Sequence, residues 1–221
     1  MTNILFDCPN EGDFYEELKE YIPADGRVCV VALSYYDDAV YDAESWGRIH
    51  GPGGGIYEET VASFAVYGIP RESISFINYF ADTKKEAEAK IAAADILYFP
   101  GGLPDRMMDR IGDMGIASAL RAHRGLVMGY SAGAVIQLDS YHLSPDADYP
   151  AFGYYRGLGY LSGFALEVHY EGRATQDASI ARVQRERGLP VYVSHTGKGG
   201  IVVKDGKIRT VGQVDIYQPT K

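Results

Sequence analysis

The segment that most constrains the fold is a short apolar run that passes within a few residues into a helix-forming run. Residues 126–128 (LVM) precede residues 129–133 (GYSAG), and residues 134–136 (AVI) follow. Glycines on both sides of a serine let neighbouring chain pass without a Cβ clash and lift the Ser131 hydroxyl clear of a sheet. The N–H of Ala132 then points from a helix N-terminus toward an oxyanion formed at that hydroxyl. This spacing predicts a serine nucleophile, with a purely structural turn as the alternative.

Apolar runs alternate with helix-forming segments along the chain, which is the pattern of a parallel sheet covered by helices. The apolar runs cover residues 27–33, 73–79, 96–99 and 126–130. The helix-forming segments cover residues 58–67, 84–94 and 105–123. Further on, strands are predicted at 164–169, 190–194, 201–204 and 207–211, and a helix at 175–187. We therefore predict an α/β fold with a doubly wound, mostly parallel sheet and a C-terminal β-hairpin, formed by residues 1–221 as a single domain.

Charge and hydropathy exclude two classes of partner. The 221 residues carry a formal net charge of −9 without a dense cluster of lysine and arginine, so we expect no binding to nucleic acid. No apolar run approaches the roughly 20 residues that cross a bilayer, and the N-terminus resembles no export signal, so we expect a cytoplasmic protein without membrane contact. Cys8 and Cys29 form no disulfide framework or zinc motif, and the sequence implies no metal and no organic cofactor.

A serine hydroxyl needs a neighbouring base, and two of the five histidines follow apolar runs. We predict that His169, after residues 164–168, is the base, because parallel sheets present catalytic groups at strand ends. His195, after residues 191–194, is the alternative, in the late position that an α/β-hydrolase would use. The glycine-rich segment 35–55 lacks the lysine of a phosphate-binding loop, and we interpret it as a mobile loop or lid.

Three blocks together resemble peptidase family S51, which contains dipeptidase E and cyanophycinase. They are residues 98–102 (YFPGG), 129–134 (GYSAGA) and 168–170 (VHY). The resemblance implies a serine hydrolase with a flavodoxin-like fold akin to class I glutamine amidotransferases, in which serine replaces the amidotransferase cysteine. It implies these site residues: Ser131 as nucleophile, His169 as base, and Gly101, Gly102 and Ala132 as the oxyanion hole.

The third member of the triad is the least defined part of this resemblance. The position that matches dipeptidase E is Asp146, and the late acid of cyanophycinase-like members has no counterpart in residues 194–198. Asp146 is therefore our prediction, and the remaining candidates are Asp148, Asp139 and Glu167.

Two departures from the family pattern concern the substrate. Leu103 and Pro104 stand where the family has a polar residue followed by threonine, and only Arg173 matches the first of the arginines that follow the histidine of cyanophycinase. We expect Arg173 and Leu103 to contact substrate, with Arg173 binding a carboxylate and Leu103 giving little preference for aspartyl side chains.

These observations predict a serine hydrolase that cleaves an amide bond in a small peptide or amino-acid conjugate through an acyl-enzyme. Two alternatives stay open: a non-catalytic ligand-binding or regulatory domain of the same fold, and an esterase that uses Ser131 and His195. The sequence also leaves a homodimer open.

Overall fold

The computed structural model describes residues 1–9 and 11–219. Strands account for the apolar runs and for the C-terminal part of the chain. In chain order they are Thr2–Phe6 (β1), Val28–Val30 (β2), Ile74–Phe76 (β3), Ile96–Phe99 (β4), Leu126–Tyr130 (β5), Ser140–Leu143 (β6), Gly153–Arg156 (β7), Ala165–Tyr170 (β8), Val191–Lys204 (β9) and Lys207–Tyr217 (β10).

Helices separate the central strands, and several begin at residues that stabilise a helix N-terminus. Asp42 and Thr83 each form a capping box, and Pro104 occupies the first turn of its helix, where a missing N–H costs nothing. The helices are Tyr15–Leu18 (α1), Ala43–His50 (α2), Gly55–Ala65 (α3), Lys84–Ala93 (α4), Pro104–Asp113 (α5), Ala117–Ala122 (α6), Ala132–Val135 (α7) and Ala174–Arg187 (α8), with short 3₁₀ turns at Glu11–Phe14 and Arg71–Ser73.

The main sheet has the order β10-β9-β1-β5-β4-β2-β3, and β8 pairs with β9. Strands β1, β5, β4, β2 and β3 are all parallel, so their carboxyl ends lie at one edge of the sheet. Strand β9 is antiparallel to both β1 and β10, and β9 and β10 form the C-terminal hairpin. The predicted α/β class, mostly parallel sheet and closing hairpin are confirmed.

Each central strand sends alternate side chains into two cores, one on each face of the sheet. In β4, Leu97 and Phe99 belong to one core, and Ile96 and Tyr98 belong to the other. Fully burying such a side chain contributes about 1.5–3 kcal/mol, which explains why these strands are continuous apolar runs. Burial on both faces holds β4 and β5 side by side, and this positions the turns that follow them.

Three predicted segments differ from the structure. Segment 35–55 is not a mobile lid, because it contains α2, whose Trp46 and His50 are buried. The helical stretch 105–123 is two helices, since Gly115 adopts a positive φ of 68° that an ordinary helical residue avoids. Residues 140–156, which lie in a segment without a predicted element, contain the antiparallel pair β6 and β7.

Strand β9 also departs from the prediction, because it runs through both of the predicted strands at 190–194 and 201–204. Gly212 of β10 pairs with Gly199 and Val214 with Ser194, so residues 195–198 of β9 bulge out of the ladder. Within residues 1–9 and 11–219, no helix is long and apolar enough to cross a membrane.

Candidate active site

Ser131 lies between β5 and α7 in a backbone conformation that non-glycine residues rarely adopt. Its φ is 51° and its ψ is −115°, and its N–H donates to the carbonyl oxygen of Phe6 at 2.9 Å. The flanking Gly129 and Gly133 pack so tightly that a Cβ on either would clash with the backbone of Phe99. Close packing around the turn therefore maintains the strained Ser131, and such strain is typical of functional sites.

His169 lies directly against this serine. Its Nε2 is 2.7 Å from Ser131 Oγ, inside hydrogen-bonding distance. Its φ of 53° falls in a bulge of β8, where the pairing with β9 shifts register between Glu167 and Tyr170. The carbonyl oxygen of His169 accepts a hydrogen bond from Gln176 Nε2 at 2.9 Å, which ties this bulge to α8.

The prediction of His169 assumed that its strand is parallel to the central strands, but β8 runs in the opposite direction. Strand β8 is parallel to β9 and therefore opposite in direction to β1 and β5. His169 reaches the carboxyl edge of the central strands because β8 pairs with the first part of β9, before the bulge at residues 195–198. His169 therefore does not lie at the carboxyl end of a strand that is parallel and adjacent to β5.

On the side of the imidazole away from the serine, Nδ1 faces Asp7 and Cys8. Asp7 Oδ2 is 4.0 Å and Cys8 Sγ is 3.9 Å from His169 Nδ1. Asp7 is fully buried, and its Oδ2 accepts the N–H of Gly197 at 2.6 Å and the thiol of Cys8 at 3.4 Å. Asp7 Oδ1 has no hydrogen-bond partner in the described part of the chain. Asp7 is thus the acid that faces the histidine.

Sequence reasoning missed Asp7, although a signal was present. Asp7 comes directly after β1, an apolar strand, as Ser131 comes directly after β5. Because β1 and β5 are parallel neighbours, the residues that follow them meet at one edge of the sheet. Only the pairing of the strands makes that adjacency visible.

Asp146 is not placed against His169, which corrects the prediction for the third group. Its Oδ1 accepts the backbone N–H groups of Asp148 and Tyr149, at 2.9 and 2.7 Å, and so stabilises the turn that contains it. Within the described residues, no ion pair or hydrogen bond joins Asp146 to His169.

The remaining acid candidates also have other partners. Asp148 Oδ2 accepts from the hydroxyl of Tyr36 at 2.7 Å, and Asp139 Oδ1 accepts the N–H of Ser140 at 2.7 Å. Neither contacts the serine–histidine pair.

Glu167 forms a separate buried pair with a different histidine. Its Oε2 lies 2.8 Å from both His142 Nε2 and Ser144 Oγ. The side chains of His142 and Glu167 are only 1% and 4% exposed. This pair lines the same small cavity as His169 and Arg173, but its polar atoms bind each other.

The alternative base, His195, lies at the bulge of β9. Its Nε2 is 2.8 Å from Asp215 Oδ2 on β10, and its ring meets that of Tyr170 edge-on. Among the described histidines, His169 is the one with a hydrogen bond to Ser131.

The predicted oxyanion-hole residues are Gly101 and Gly102, in the loop after β4, and Ala132, which directly follows Ser131. A Cβ on Gly101 would lie 3.2 Å from Ser131 Cβ, and Gly102 has a φ of 127°. Ser34 fixes this loop, since its carbonyl oxygen accepts the N–H of Leu103 at 2.7 Å and its hydroxyl donates to the carbonyl oxygen of Gly101. Within the described residues, the N–H groups of the two glycines and of Ala132 have no protein acceptor.

The two predicted substrate contacts lie on different elements. Arg173 directly precedes α8, is about half exposed and lies 3.7 Å from Glu171, with Nε 3.4 Å from Gln176 Oε1. Leu103 directly precedes α5 and presents an apolar side chain. Along the chain, Arg173 comes four residues after His169, and Leu103 comes directly after Gly102.

A larger cavity of about 660 Å³ opens beyond β2 and β3 at the same edge of the sheet. Tyr35 lines it, and the Arg110 guanidinium lies 3.7 Å above the Tyr35 ring and donates to Asp37. Burial raises the pKa of Tyr35 to about 12, so the phenol stays neutral near pH 7. The cavity combines aromatic walls with charges of both signs.

Comparisons with known proteins identify the fold and the family. Two solved structures share the fold. The first is a candidate peptidase E from Listeria monocytogenes EGD-e, with a TM-score of 0.67 and 15% identity, and the match covers 96% of this chain and 98% of that one. The second is a peptidase from an acI-B1 actinobacterium, with a TM-score of 0.64 and 13% identity, and the match covers 99% of this chain and 90% of that one. No curated protein matches the chain by sequence. The model of Peptidase family S51 matches residues 56–211, which is well over half of the chain. The chain therefore belongs to peptidase family S51, a family of serine peptidases, and is a hydrolase.

Proposed function

We propose that this chain cleaves an amide bond in a small peptide or amino-acid conjugate through an acyl-enzyme on Ser131. The observation that carries the proposal is the 2.7 Å separation of His169 Nε2 and Ser131 Oγ. A serine becomes a nucleophile at neutral pH when a base accepts its proton within this distance. The positive φ of Ser131 also supports the proposal, because it projects the hydroxyl from a turn instead of packing it into a helix.

In the acylation step, Ser131 Oγ attacks the carbonyl carbon and His169 Nε2 takes the hydroxyl proton. The carbonyl oxygen becomes an oxyanion, which the N–H groups of Gly102 and Ala132 bind, with Gly101 shaping the same loop. Each such donor contributes about 3 kcal/mol of transition-state stabilisation. The protonated His169 then gives its proton to the leaving amine, and the C–N bond breaks. Water, deprotonated by the same imidazole, releases the acyl group.

We assign the third position to Asp7. It is the carboxylate nearest His169 Nδ1, at 4.0 Å, and it is completely buried. A carboxylate on this side favours the tautomer with its proton on Nδ1, which leaves the Nε2 lone pair free to accept from Ser131. The N–H of Gly197 holds Asp7 Oδ2 in place from the bulge of β9. Asp7 is accordingly a positioning residue.

The substrate binds at the carboxyl edge of the central strands, between the oxyanion loop and α8. Arg173 lines the cavity that contains His169, and its half-exposed guanidinium is available to a substrate carboxylate. Leu103 provides no side-chain donor or acceptor, so an aspartyl side chain gains little there. This arrangement favours small substrates with a free carboxylate and does not select strongly for aspartate.

Hydrolysis of a dipeptide panel tests the proposal, with neutral and aspartyl N-terminal residues and liquid chromatography of the released amino acids. We expect turnover by the unchanged chain and none by Ser131→Ala. Ser162→Ala is the matched control, because Ser162 is exposed on a loop and has no part in the site. Equal loss in both variants, or hydrolysis that persists in Ser131→Ala, contradicts the assignment of the nucleophile.

A further inference from the structure

Three potential metal ligands meet on the side of His169 that faces away from Ser131. Asp7 Oδ2, Cys8 Sγ and His169 Nδ1 are separated by 3.4 Å between oxygen and sulfur, 3.9 Å between sulfur and nitrogen, and 4.0 Å between oxygen and nitrogen. A carboxylate, a thiol and an imidazole are the three side-chain types that bind zinc. The catalytic mechanism above uses Asp7 and His169 but leaves Cys8 without a role.

The spacing of these atoms agrees with a shared tetrahedral ion better than with hydrogen bonds to the imidazole. Zinc–ligand distances of about 2.0–2.3 Å put two ligands of one tetrahedral ion about 3.3–3.8 Å apart. The observed 3.4 and 3.9 Å lie within about 0.3 Å of these separations, and the 4.0 Å between oxygen and nitrogen needs a shift of about 0.5–0.7 Å. By contrast, the 4.0 Å between Asp7 Oδ2 and His169 Nδ1 exceeds hydrogen-bonding distance.

A second, independent observation points to a ligand at this place. Asp7 has no exposed surface, and its Oδ1 has no hydrogen-bond partner in the described part of the chain. A buried carboxylate oxygen without a partner is costly, and a cation beside it removes much of that cost. The His169 side chain is 42% exposed, so an ion can enter from solvent and keep a water molecule as its fourth ligand.

We infer that zinc binds Asp7, Cys8 and His169 Nδ1 and reversibly inhibits this enzyme, an inference that rests on the proposed function of Ser131 and His169. On binding, the Cys8 thiol releases its proton to solvent and coordinates as thiolate. A neutral imidazole coordinated through Nδ1 carries its one proton on Nε2. Nε2 then donates a hydrogen bond to Ser131 Oγ and no longer accepts the serine proton, so the nucleophile is not activated.

Cobalt absorption tests the site without reference to catalysis. Co²⁺ is added to protein that has been treated with a chelator and desalted, and the near-ultraviolet charge-transfer band of a cobalt thiolate is recorded. We expect the band in the unchanged chain and its loss in Cys8→Ala and Asp7→Asn. Cys29→Ala is the matched control that keeps the band, because Cys29 is buried inside β2. A band that survives Cys8→Ala, or its absence from the unchanged chain, overturns the site.

The rate of Ser131 phosphonylation by a small fluorophosphonate tests the inhibition. Added zinc should slow labelling and a chelator should restore it, and Cys8→Ala should raise the half-inhibitory zinc concentration at least about tenfold, relative to its own zinc-free rate. His195→Ala is the matched control: it removes a histidine that pairs with Asp215 and is not among the proposed zinc ligands, and it should leave that concentration unchanged.

The outcomes distinguish a failure of the zinc inference from a failure of the proposed function. A protein that is labelled at Ser131 but is insensitive to zinc overturns the inhibition and leaves the nucleophile intact. A cobalt band in a protein that is never labelled at Ser131 overturns the inhibitory role together with the proposed function. Slow labelling with zinc, fast labelling with chelator and a Cys8-dependent band support the inference.

Discussion

His169 and His195 both follow apolar residues of a strand and both lie near a carboxylate, but they face different neighbours. His169 contacts Ser131 at 2.7 Å, with Asp7 behind it at 4.0 Å. His195 contacts Asp215 at 2.8 Å, and both members of this histidine–carboxylate pair lie in the hairpin of β9 and β10. The described part of this chain places a histidine beside an acid at three points, but only His169 also contacts the strained Ser131.

Local backbone geometry explains the difference. A bulge in β8 gives His169 a φ of 53° and turns it toward the end of β5. His195 begins the bulge of β9 and has a cross-strand partner on β10. Two similar sequence patterns therefore place their histidines in different environments, one against Ser131 and one against Asp215.

Alanine substitution of each histidine is the strongest way to break this comparison. We expect His169→Ala to lower kcat/KM for the best dipeptide by at least about a thousandfold, as loss of a triad base does. His195→Ala should lower it less than about threefold, since His195 is hydrogen-bonded to Asp215 and not to Ser131. Steady-state hydrolysis measures both, and circular dichroism checks that both variants fold. The opposite ranking would establish the esterase-like pair of Ser131 and His195.

The acids behind the histidine give the next largest effect. Asp7→Asn should lower kcat about a hundredfold or more with little change in KM, because an amide does not favour the proton on Nδ1 of His169. Asp146→Asn is the matched control and should change kcat little, since Asp146 serves its own turn. Steady-state kinetics separate kcat from KM. A larger effect from Asp146→Asn than from Asp7→Asn would return the third position to that loop.

His50 represents a third environment, buried between Tyr35 and Trp46 with neither ring nitrogen bonded in the described part of the chain. Burial lowers its pKa to about 4. The unfolded chain, with an ordinary histidine pKa near 6.5, takes up this proton first as the pH falls, so stability decreases between about pH 6.5 and 4.

This pH dependence can be measured by urea unfolding at pH 7 and pH 5. We expect the His50 contribution to the free energy of unfolding to fall by about 2 kcal/mol between these values. His50→Phe keeps the aromatic packing and should lose that part of the pH dependence. If both proteins lose the same free energy of unfolding between pH 7 and pH 5, other groups cause the loss and the burial of His50 does not contribute to it.

The smallest effect concerns substrate selection. Arg173→Ala should raise KM by up to about tenfold with kcat unchanged, because the guanidinium binds a carboxylate equally in the ground and transition states. Arg185→Ala, on the exposed face of α8, is the matched control and should leave KM unchanged. Aspartyl dipeptides should be preferred over neutral ones by less than about tenfold, or 1.4 kcal/mol. A hundredfold preference would contradict the role given to Leu103.

Much of the fold was predictable because the central strands are buried on both faces and so appear as continuous apolar runs. The placement of Ser131 followed from the glycines around it, which only a tight turn explains. Residues 195–200 fell between two predicted strands, whereas β9 continues through them with a bulge.

The position of Asp7 after an apolar strand is visible in the sequence, but its adjacency to His169 is not, for a physical reason. Asp7 lies far along the chain from His169, and its approach depends on the pairing of β1 with β9 and on the N–H of Gly197 in the bulge. Asp146 has the right residue type at the position that matches a family member, but its side chain closes a local turn. Proximity along a strand was visible in the sequence, whereas proximity across the sheet required the structure.

The central claim is that Ser131 is activated by His169, and site mapping of a fluorophosphonate adduct tests it most directly. The chelator-treated protein is labelled, digested and analysed by mass spectrometry, beside Ser131→Ala and His169→Ala. We predict one adduct, on Ser131, which is absent from Ser131→Ala and strongly reduced in His169→Ala. An adduct on another serine, or none between about pH 6 and 9, where a triad base is active, would contradict the claim.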